Sequence, residues 1–355
     1  MFYEYAHGGD IYDEKGRIDE DIIDFSANIN PLGMPKEALL AAKSALASSN
    51  IYPDSDCRQL GAKLAEFENV DQTNIFCGAG ASDILFRLAF AVKPKKILVT
   101  APSFADYERA GRAAGAEVIC YALKKDNDFD IEKDIVDLIA ETSPDIVFVC
   151  NPNNPTGNLT DAKMLKEIAD ACQFANAILL SDECFLDFVC DLSEYSAKSL
   201  IEKYENIMIL KAFTKIFAMP GLRLGYAICK DMDLINKMRF CGPDWAVSNV
   251  AQKAGLAALR VSEDYLENTR KYIREQRKYI TEELKNLGFA VYMSQANFIF
   301  FHCPHKLDLK NIKIRDCSDF RGLGPGYYRV AVLTAEKNKL LIEALKGAKN
   351  LWQNR

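Results

Sequence analysis

The chain has no segment that would place it in or across a membrane. No run of ~18 uninterrupted apolar residues occurs, which is the length that a transmembrane helix requires. The opening stretch, "MFYEYAHGGDIYDEKG", has no basic segment followed by an apolar core, so no secretory signal peptide is predicted. We therefore expect a cytoplasmic protein that does not bind a membrane.

The chain also lacks an excess of positive charge. Its 44 lysines and arginines are outnumbered by 50 aspartates and glutamates, which gives a formal net charge of −6. Binding to nucleic acid or to an anionic surface requires a basic patch, because phosphate groups dominate those interactions. The composition therefore predicts no nucleic-acid partner.

Neither disulfides nor a metal site is indicated. The eleven cysteines are odd in number, are scattered through predicted strands and helices, and form no CxxC pair. We therefore expect them to be reduced, as in a cytosolic protein. Histidine is rare, and two of the three histidines, His302 and His305, lie beside Cys303 in "FHCPH". Because no second cluster follows at the spacing typical of zinc ligands, no metal site is predicted.

The pattern that is present is that of an α/β protein. From about residue 75 to 230, short apolar runs alternate with amphipathic stretches. The predicted strands are "NIFCG", "KKILVTA", "EVICYAL", "DIVFVCN", "AILLSDE", "NIMILKA" and "LGYAIC". This alternation predicts a mainly parallel, seven-stranded sheet with helices on both faces.

The chain is long enough for a second, smaller domain. Its 355 residues suggest about two domains. After about residue 260 a long charged helix is followed by short strands and a final helix, a pattern typical of an α+β domain. We expect the large domain to span residues 35–258 and the small domain to combine residues 1–34 with 259–355. In open α/β sheets, ligands bind beyond the carboxyl ends of the strands, where the unusual residues of this sequence cluster.

The first of these clusters follows the strand in "FCGAGASD". Gly78, Ala79 and Gly80 lead into a helix that begins near Ala81 and Ser82. Glycines allow the backbone to approach a ligand closely, and the free amides of a helix N-terminus bind anions. The segment is neither a Walker loop nor a GxGxxG match. Gly80 to Ser82 are thus a candidate phosphate site, with an ordinary strand-to-helix turn as the alternative.

A rigid loop follows a later strand. The segment "CNPNNPTGNLT" contains two prolines, a glycine and three asparagines before Thr156. Such stiffening is useful if one side chain, Asn154, must meet a ligand at a fixed geometry. A purely structural turn is the alternative.

Two charged residues stand at the ends of other apolar strands. Asp182 ends the strand in "AILLSDECF", and Lys215 lies within "FTKIFAMPGLRLGY". Removing an ammonium group from water costs several kcal/mol unless the group deprotonates or pairs, so a lysine here indicates a chemical role. Asp182 is either a helix cap or loop residue, or a counter-ion for a cationic group. Taken alone, it is better explained as a helix cap or a loop residue.

Together, these segments match what pyridoxal 5'-phosphate requires. The helix N-terminus described above would hold the phosphate, with Thr214 and with Arg223 as a charge-assisted donor. Asp182 would pair with the pyridine nitrogen, so that the ring accepts electrons. Asn154 would hydrogen-bond the phenolic oxygen, and Lys215 would form an imine with the aldehyde.

The same segments carry a resemblance to a known family. The run "YP", "GAGAS", "NPNNPTG", "DECF", "FTK" and "GLRLGY", in this order, resembles the fold-type I pyridoxal-phosphate enzymes of the aminotransferase class I/II superfamily over nearly the whole chain. The resemblance implies their fold, their cofactor and a homodimer. It also implies that Tyr52 reaches the cofactor phosphate of the neighbouring subunit and that Phe104 stacks on the cofactor ring. A core contact is the alternative for Phe104.

Within that superfamily, the sequence favours a decarboxylase over a transferase. The "HGG" segment, "SANINPLG", and Phe185 in place of the tyrosine usual in transferases are similar to the threonine-phosphate decarboxylases of cobalamin biosynthesis. Histidinol-phosphate aminotransferases are the related family. The implied reaction is decarboxylation of a phosphorylated hydroxy-amino acid. L-threonine O-3-phosphate would give aminopropanol phosphate, or L-serine phosphate would give ethanolamine phosphate.

The resemblance also implies a substrate site. His7 and Asn28 would close over the substrate, while Arg315 and Arg329 grip its phosphate or carboxylate. Asp10 stands where these decarboxylases usually have asparagine, which would put a negative charge near the substrate. Two alternatives stay open: an aminotransferase of the histidinol-phosphate type, and, from another class, a non-catalytic regulatory protein that holds the cofactor.

Overall fold

The strands predicted from the sequence are present. In the computed structural model, which describes residues 7–353, thirteen strands are found. They are β1 (Ile23–Asp24), β2 (Ile75–Gly78), β3 (Lys96–Ala101), β4 (Glu117–Ala122), β5 (Ile146–Cys150), β6 (Ile178–Asp182), β7 (Ile207–Ala212), β8 (Gly225–Cys229), β9 (Ala290–Val291), β10 (Phe298–His302), β11 (Ile312–Lys313), β12 (Arg315–Asp316) and β13 (Tyr327–Ala331). The seven predicted strands of the large sheet correspond to β2 through β8.

The large sheet has the order β2-β8-β7-β6-β5-β3-β4. Strand β8 runs antiparallel to both of its neighbours, and the other pairs are parallel. Every residue of β5, β7 and β8 is buried, because the strands are almost entirely apolar and both faces of the sheet are covered. The predicted mainly parallel, seven-stranded sheet is therefore confirmed.

Helices cover both faces of this sheet. The described residues contain α1 (Lys36–Ala45), α2 (Arg58–Glu68), α3 (Ala81–Val92), α4 (Ala105–Ala113), α5 (Asp134–Thr142), α6 (Ala162–Phe174), α7 (Phe213–Ile216), α8 (Met232–Phe240), α9 (Asn249–Arg260), α10 (Ser262–Asn286) and α11 (Ala335–Gln353). The long charged helix predicted after residue 260 is α10. Within residues 7–353, no helix combines the length and the apolar character that crossing a membrane requires.

The core lies on both sides of the sheet because successive strand residues point to opposite faces. Val147 and Leu179 belong to the larger of two hydrophobic clusters, whereas the next residue of each strand, Phe148 and Leu180, belongs to the other. All four side chains are fully buried. This packing on both faces fixes the strand ends on which the candidate site is built.

A smaller antiparallel sheet has the order β12-β13-β10-β9. The segment "FAVYMSQANFIFFHC" forms β9 and β10, which pair antiparallel with Ala290 opposite His302. The polar stretch from Ser294 to Asn297 lies between them, so the chain can reverse there. The small sheet presents two arginines, described below, to the cavity.

The N-terminal segment lies beside the C-terminal part of the chain. Strand β1 pairs in parallel with β11, with Ile23 opposite Ile312. The amide of Phe25 extends this pairing with a hydrogen bond of 2.7 Å to the carbonyl oxygen of Lys313, and its carbonyl oxygen accepts one of 2.8 Å from the amide of Ala331 in β13. The domain boundaries at residues 34/35 and 258/259 stay a prediction.

Candidate active site

A cavity of about 390 Å³ opens at the carboxyl edge of the large sheet. The last residues of β3, β5, β6 and β7 contribute to its wall. The predicted site residues that line it are His7, Asn28, Ala81, Ser82, Phe104, Asn154, Asp182, Thr214, Lys215, Arg223, Arg315 and Arg329. The fold thus brings together residues from both ends and the middle of the sequence.

Lys215 lines the cavity from α7, the single helical turn that follows β7. Burial lowers the pKa of Lys215 from its ordinary 10.5 to about 8, and the nearby guanidinium groups of Arg329 and Arg223 act in the same direction. A larger share of the amine is therefore neutral near physiological pH. The neutral amine is the form that attacks a carbonyl carbon.

Asp182 is buried at the end of β6. Burial raises the pKa of this carboxyl group, and the hydrogen bonds that it accepts partly offset the shift. The amide of Cys184 donates to Oδ1 at 3.0 Å, and the hydroxyl of Tyr107 donates to Oδ2 at 2.6 Å. Each oxygen keeps further acceptor capacity, so Asp182 can receive an N–H from a protonated ring nitrogen.

Tyr107 is a residue of the site that the sequence reasoning missed. It lies three positions after Phe104 in the first turn of α4, and its ring stacks on Phe148 at a centroid distance of 5.1 Å. Phe104 meets the same ring edge-on at 5.6 Å. The signal was present in "APSFADY", because residues three apart share one face of a helix.

The N-terminus of α3 and Arg223 form a cradle suited to an anion. Gly80 precedes α3 with φ = +92°, and a Cβ built there would lie 2.7 Å from Nη2 of Arg223. Gly225 is equally constrained, since a Cβ there would lie 2.8 Å from the amide nitrogen of Ala81. Small residues therefore keep the guanidinium close to the free amides, and Thr214 lines the same cavity. This geometry fits the phosphate of pyridoxal phosphate.

Ser82 has a partner that the sequence did not predict. Its hydroxyl donates a hydrogen bond of 2.6 Å to Oδ2 of Asp106, and Nε2 of His7 lies 3.4 Å from Oδ1 of the same carboxylate. Burial would raise the pKa of Asp106, but the hydrogen bonds from His7 and Ser82 outweigh it and hold the pKa below its ordinary value. Asp106 thereby ties the N-terminal segment to the start of α3.

Asn154 and Arg329 both line the cavity and are hydrogen-bonded to each other. Nη1 of Arg329 donates to the side-chain oxygen of Asn154, and Nη2 donates to the carbonyl oxygen of Ser26 at 2.6 Å. With its oxygen occupied, Asn154 presents its amide nitrogen as a donor for a ligand oxygen. Nearby, the side-chain oxygen of Asn28 is buried and has no hydrogen-bond partner among the described residues. Both amide side chains therefore have capacity for a bound ligand.

Arg315 is the direct cross-strand partner of Arg329, on β12 and β13 respectively. Nη2 of Arg315 lies 2.8 Å from Oδ2 of Asp319, and its guanidinium lies 4.9 Å from the centre of the Phe320 ring. Burial lowers the pKa of Arg329 to about 10, which leaves it positively charged at neutral pH. The cavity therefore contains two adjacent cations on one sheet face.

Two predicted residues lie elsewhere. Tyr52 is 76% exposed, does not line the cavity of its own chain, and stacks on Trp245 at a centroid distance of 4.6 Å. Its predicted contact with a neighbouring subunit stays a prediction. Asp10 is exposed and does not line the cavity, although Gly8 does, so the expected negative charge near the substrate stays a prediction. The segment that carries it pairs outside the cavity, where Lys313 donates to the carbonyl oxygen of Asp10.

Comparison with known sequence families agrees with this geometry. Residues 20–345 match the family described as aminotransferase class I and II. The chain belongs to this family.

Relatives named for two different activities resemble this chain to a similar degree in sequence and structure. Threonine-phosphate decarboxylase of Salmonella typhimurium is 34% identical over 358 residues, which cover 97% of each sequence. The histidinol-phosphate aminotransferase from Clostridium acetobutylicum has a TM-score of 0.83 at 30% identity, covering 92% of this chain and 98% of its own. L-threonine-O-3-phosphate decarboxylase from Porphyromonas gingivalis has a TM-score of 0.79 at 25% identity, covering 91% and 98%.

Proposed function

We propose that the protein is a pyridoxal-phosphate-dependent carboxy-lyase. It decarboxylates a phosphorylated hydroxy-amino acid, L-threonine O-3-phosphate to aminopropanol phosphate, as a step of cobalamin biosynthesis. The observation that carries this proposal is one cavity that combines Lys215 with the adjacent guanidinium groups of Arg315 and Arg329. The 34% identity to a threonine-phosphate decarboxylase over nearly the full length supports the same reaction.

The residues present fit the cofactor. The amides at the start of α3, Thr214 and Arg223 would hold its phosphate, Asp182 its ring nitrogen, and Asn154 its phenolic oxygen. Phe104 would cover one face of the ring. When bound, pyridoxal phosphate accepts the electron pair that is released when a bond to the substrate Cα breaks.

Lys215 has two tasks in this reaction. Its lowered pKa, about 8, supplies neutral amine for bonding to the cofactor carbonyl. When a substrate amine takes its place, Nζ of Lys215 would accept the proton that the substrate ammonium group releases. After carbon dioxide leaves, the ammonium group of Lys215 is the acid that returns a proton to Cα.

The choice of bond depends on how the substrate is held. With pyridoxal phosphate bound, decarboxylation would require that no residue holds the substrate carboxylate in the orientation that protects it. Arg315 and Arg329 would hold the substrate by its phosphate and would leave the carboxylate free to take the reactive orientation. Phe185, which is buried in the cavity wall against Phe298 at 5.1 Å, supplies an apolar surface without a hydroxyl group.

We propose a cytoplasmic homodimer in which Tyr52 reaches the cofactor phosphate of the neighbouring subunit. The exposed side chains of Tyr52 and Trp245 and of three leucines in and beside α1 (Leu39, Leu40 and Leu46) support an interface there. All eleven cysteines are free thiols, which supports a reducing compartment.

The proposal is tested by carbon dioxide release. The cofactor-loaded protein is incubated separately with threonine phosphate and serine phosphate, without a keto acid. We expect release from threonine phosphate in the wild type and none above background in Lys215→Ala. The ratio of the two rates defines the substrate, because a pocket discriminates one methyl group by only about 1–3 kcal/mol.

An aminotransferase is the second candidate, favoured by the TM-score of 0.83 to a histidinol-phosphate aminotransferase. It predicts a different outcome of the same incubation. No carbon dioxide would be released, and histidinol phosphate or glutamate would convert the bound cofactor to its amine form. That pair of results would replace the decarboxylase assignment.

A further inference from the structure

The two cavity arginines are cross-strand neighbours in the small sheet. Arg315 and Arg329 stand directly opposite each other on β12 and β13, and side chains of such pairs lie on the same face of a sheet. Both line the cavity. Adjacent guanidinium groups suit a phosphate monoester, which presents several oxygens and up to two negative charges.

Their present partners differ in charge. Arg329 is 5% exposed and donates to the side-chain oxygen of Asn154 and the carbonyl oxygen of Ser26, which are both neutral acceptors. Arg315 instead lies 2.8 Å from a carboxylate oxygen of Asp319. The carboxylate of Asp319 thus occupies one edge of the Arg315 guanidinium.

We propose that Asp319 is an internal competitor for the substrate phosphate. Its carboxylate occupies the edge of Arg315 that a phosphate monoester takes when bound, and the monoester displaces it. Asp319 thereby sets both the affinity and the charge selectivity of the cavity. This inference rests on the proposed function, because that function makes the ligand a phosphate monoester.

Arg315 does not depend on Asp319 to hold its position, so Asp319 is better described as a competitor for a phosphate than as a support for Arg315. Its guanidinium stacks at 4.9 Å on Phe320, and Nη1 donates to the backbone carbonyl of Asp316, so two contacts hold it without Asp319. The side chain of Arg315 is 11% exposed, whereas that of Asp319 is 32% exposed. The carboxylate can therefore turn into water while the guanidinium stays in the cavity wall.

Competition of this kind selects for charge. A phosphate dianion that replaces the single charge of Asp319 gains attraction to both arginines, so the exchange is favourable. The hydroxyl of an unphosphorylated amino acid carries no charge and cannot compete with a carboxylate for Arg315. Asp319 thus keeps uncharged groups away from Arg315, whereas the phosphate of a phosphorylated ligand can still displace it and bind.

The test is the variant Asp319→Asn in the cofactor-loaded full chain. Binding of O-phosphoethanolamine, a small phosphate monoester, is measured by calorimetry. We expect the dissociation constant to fall roughly three- to tenfold relative to the wild type, and the affinity for unphosphorylated threonine to stay unchanged. Asp316→Asn is the matched control, because it removes an exposed carboxylate next to Arg315 on β12 that does not line the cavity. Its dissociation constant should change by less than about twofold.

An unchanged or larger dissociation constant in Asp319→Asn would overturn the inference, because Asp319 would then be a support for Arg315. A wild-type protein that fails to bind O-phosphoethanolamine would overturn it as well. Failure of the proposed function can be distinguished from failure of this inference. If the wild type releases no carbon dioxide from threonine phosphate but Asp319→Asn still tightens phosphate binding, the reaction is wrong and the inference stands.

Discussion

The hydroxyl of Tyr107 donates a hydrogen bond of 2.6 Å to Asp182, and both side chains are buried. Burial, together with the neighbouring Asp182 charge, raises the pKa of Tyr107 well above its ordinary range, so the phenol stays protonated and remains a donor. A hydrogen bond to a carboxylate favours its charged form. Tyr107 therefore opposes the tendency of burial to protonate Asp182, the proposed partner of the cofactor nitrogen.

Tyr107→Phe should lower turnover by changing Asp182. Loss of the donor raises the pKa of Asp182 further and weakens its hold on a protonated ring nitrogen. We expect kcat to fall about tenfold, which corresponds to one lost hydrogen bond of ~1.4 kcal/mol to a charged group, with little change in KM. The direct readout is the pH dependence of the absorption band of the bound cofactor, which should shift in the variant.

Tyr204→Phe is the control for that experiment. Tyr204 donates a hydrogen bond of the same length, 2.6 Å, to Asp170, and neither residue lines the cavity. Its loss should leave the cofactor spectrum and kcat unchanged. Equal effects of the two substitutions would mean that Tyr107 acts only through general stability.

Cofactor loading should depend on pH through Lys215. Because burial lowers the pKa of this lysine to about 8, the reactive neutral amine accumulates as pH rises through that value. We expect the rate at which cofactor-free protein gains the near-visible absorption band to rise with pH and to level off above about 8. A midpoint near the ordinary lysine value of 10.5 would contradict the environment described for Lys215.

Gly80→Ala should weaken cofactor binding. The new Cβ would lie 2.7 Å from Nη2 of Arg223 and would push the guanidinium out of the phosphate cradle. We expect the cofactor dissociation constant to rise at least about tenfold, since a charge-assisted hydrogen bond is worth ~1.5–3 kcal/mol. The constant is measured by titrating cofactor-free protein with pyridoxal phosphate.

Gly115→Ala separates this effect from backbone strain. Gly115 has φ = +91°, close to the +92° of Gly80, but a Cβ there meets nothing within 4 Å. Both substitutions should reduce the free energy of unfolding by ~1–3 kcal/mol. Only Gly80→Ala should lose cofactor affinity, and a matching loss in Gly115→Ala would refute the role of the cradle.

A buried ionic cluster outside the cavity should control acid stability. Glu68 lies 3.0 Å from Nζ of both Lys211 and Lys198 and accepts a hydrogen bond of 2.5 Å from Tyr226. Burial alone would raise the pKa of Glu68, but the two lysines outweigh it and lower the pKa from 4.5 to about 2. Because the pKa is lower in the folded state, this stabilisation is complete above pH 4.5 and is lost as the pH falls towards 2.

Glu68→Gln should therefore reduce the free energy of unfolding at neutral pH by about 3 kcal/mol, because it leaves the buried ammonium group of Lys211 with less compensation. The difference from the wild type should shrink at roughly pH 3, as measured by urea unfolding. Glu66→Gln is the control, because Glu66 pairs with Lys63 on the surface and its side chain is 71% exposed. A difference for Glu68→Gln that does not depend on pH would contradict the ionic account.

The sequence predicted most of the fold because the seven core strands are short apolar runs, which neighbouring residues can reveal. It also selected Lys215, Asp182 and Asn154, because each is a polar residue at a strand end or in an unusually rigid loop. All three line the cavity, and their roles stay predictions. It did not predict contacts that depend on tertiary packing. The hydrogen bond between Tyr107 and Asp182 joins residues 75 positions apart.

Sequence reasoning did not identify the carboxylate that contacts a cavity arginine. Asp10 was expected near the substrate because of its place in a motif, and it is exposed and outside the cavity wall. The carboxylate that meets a substrate arginine is that of Asp319. Its position depends on the turn of the chain after β12, which the pattern of residues around "IRDCSDF" does not reveal.

The most direct test of the account is the structure of the product formed from threonine phosphate in heavy water. We expect aminopropanol phosphate with one deuterium on the carbon that was Cα, formed together with an equal amount of carbon dioxide. This result follows from loss of the carboxylate and return of an exchangeable proton by Lys215. A keto product with the cofactor in its amine form would contradict the account, because Cα–H would then be the bond that breaks.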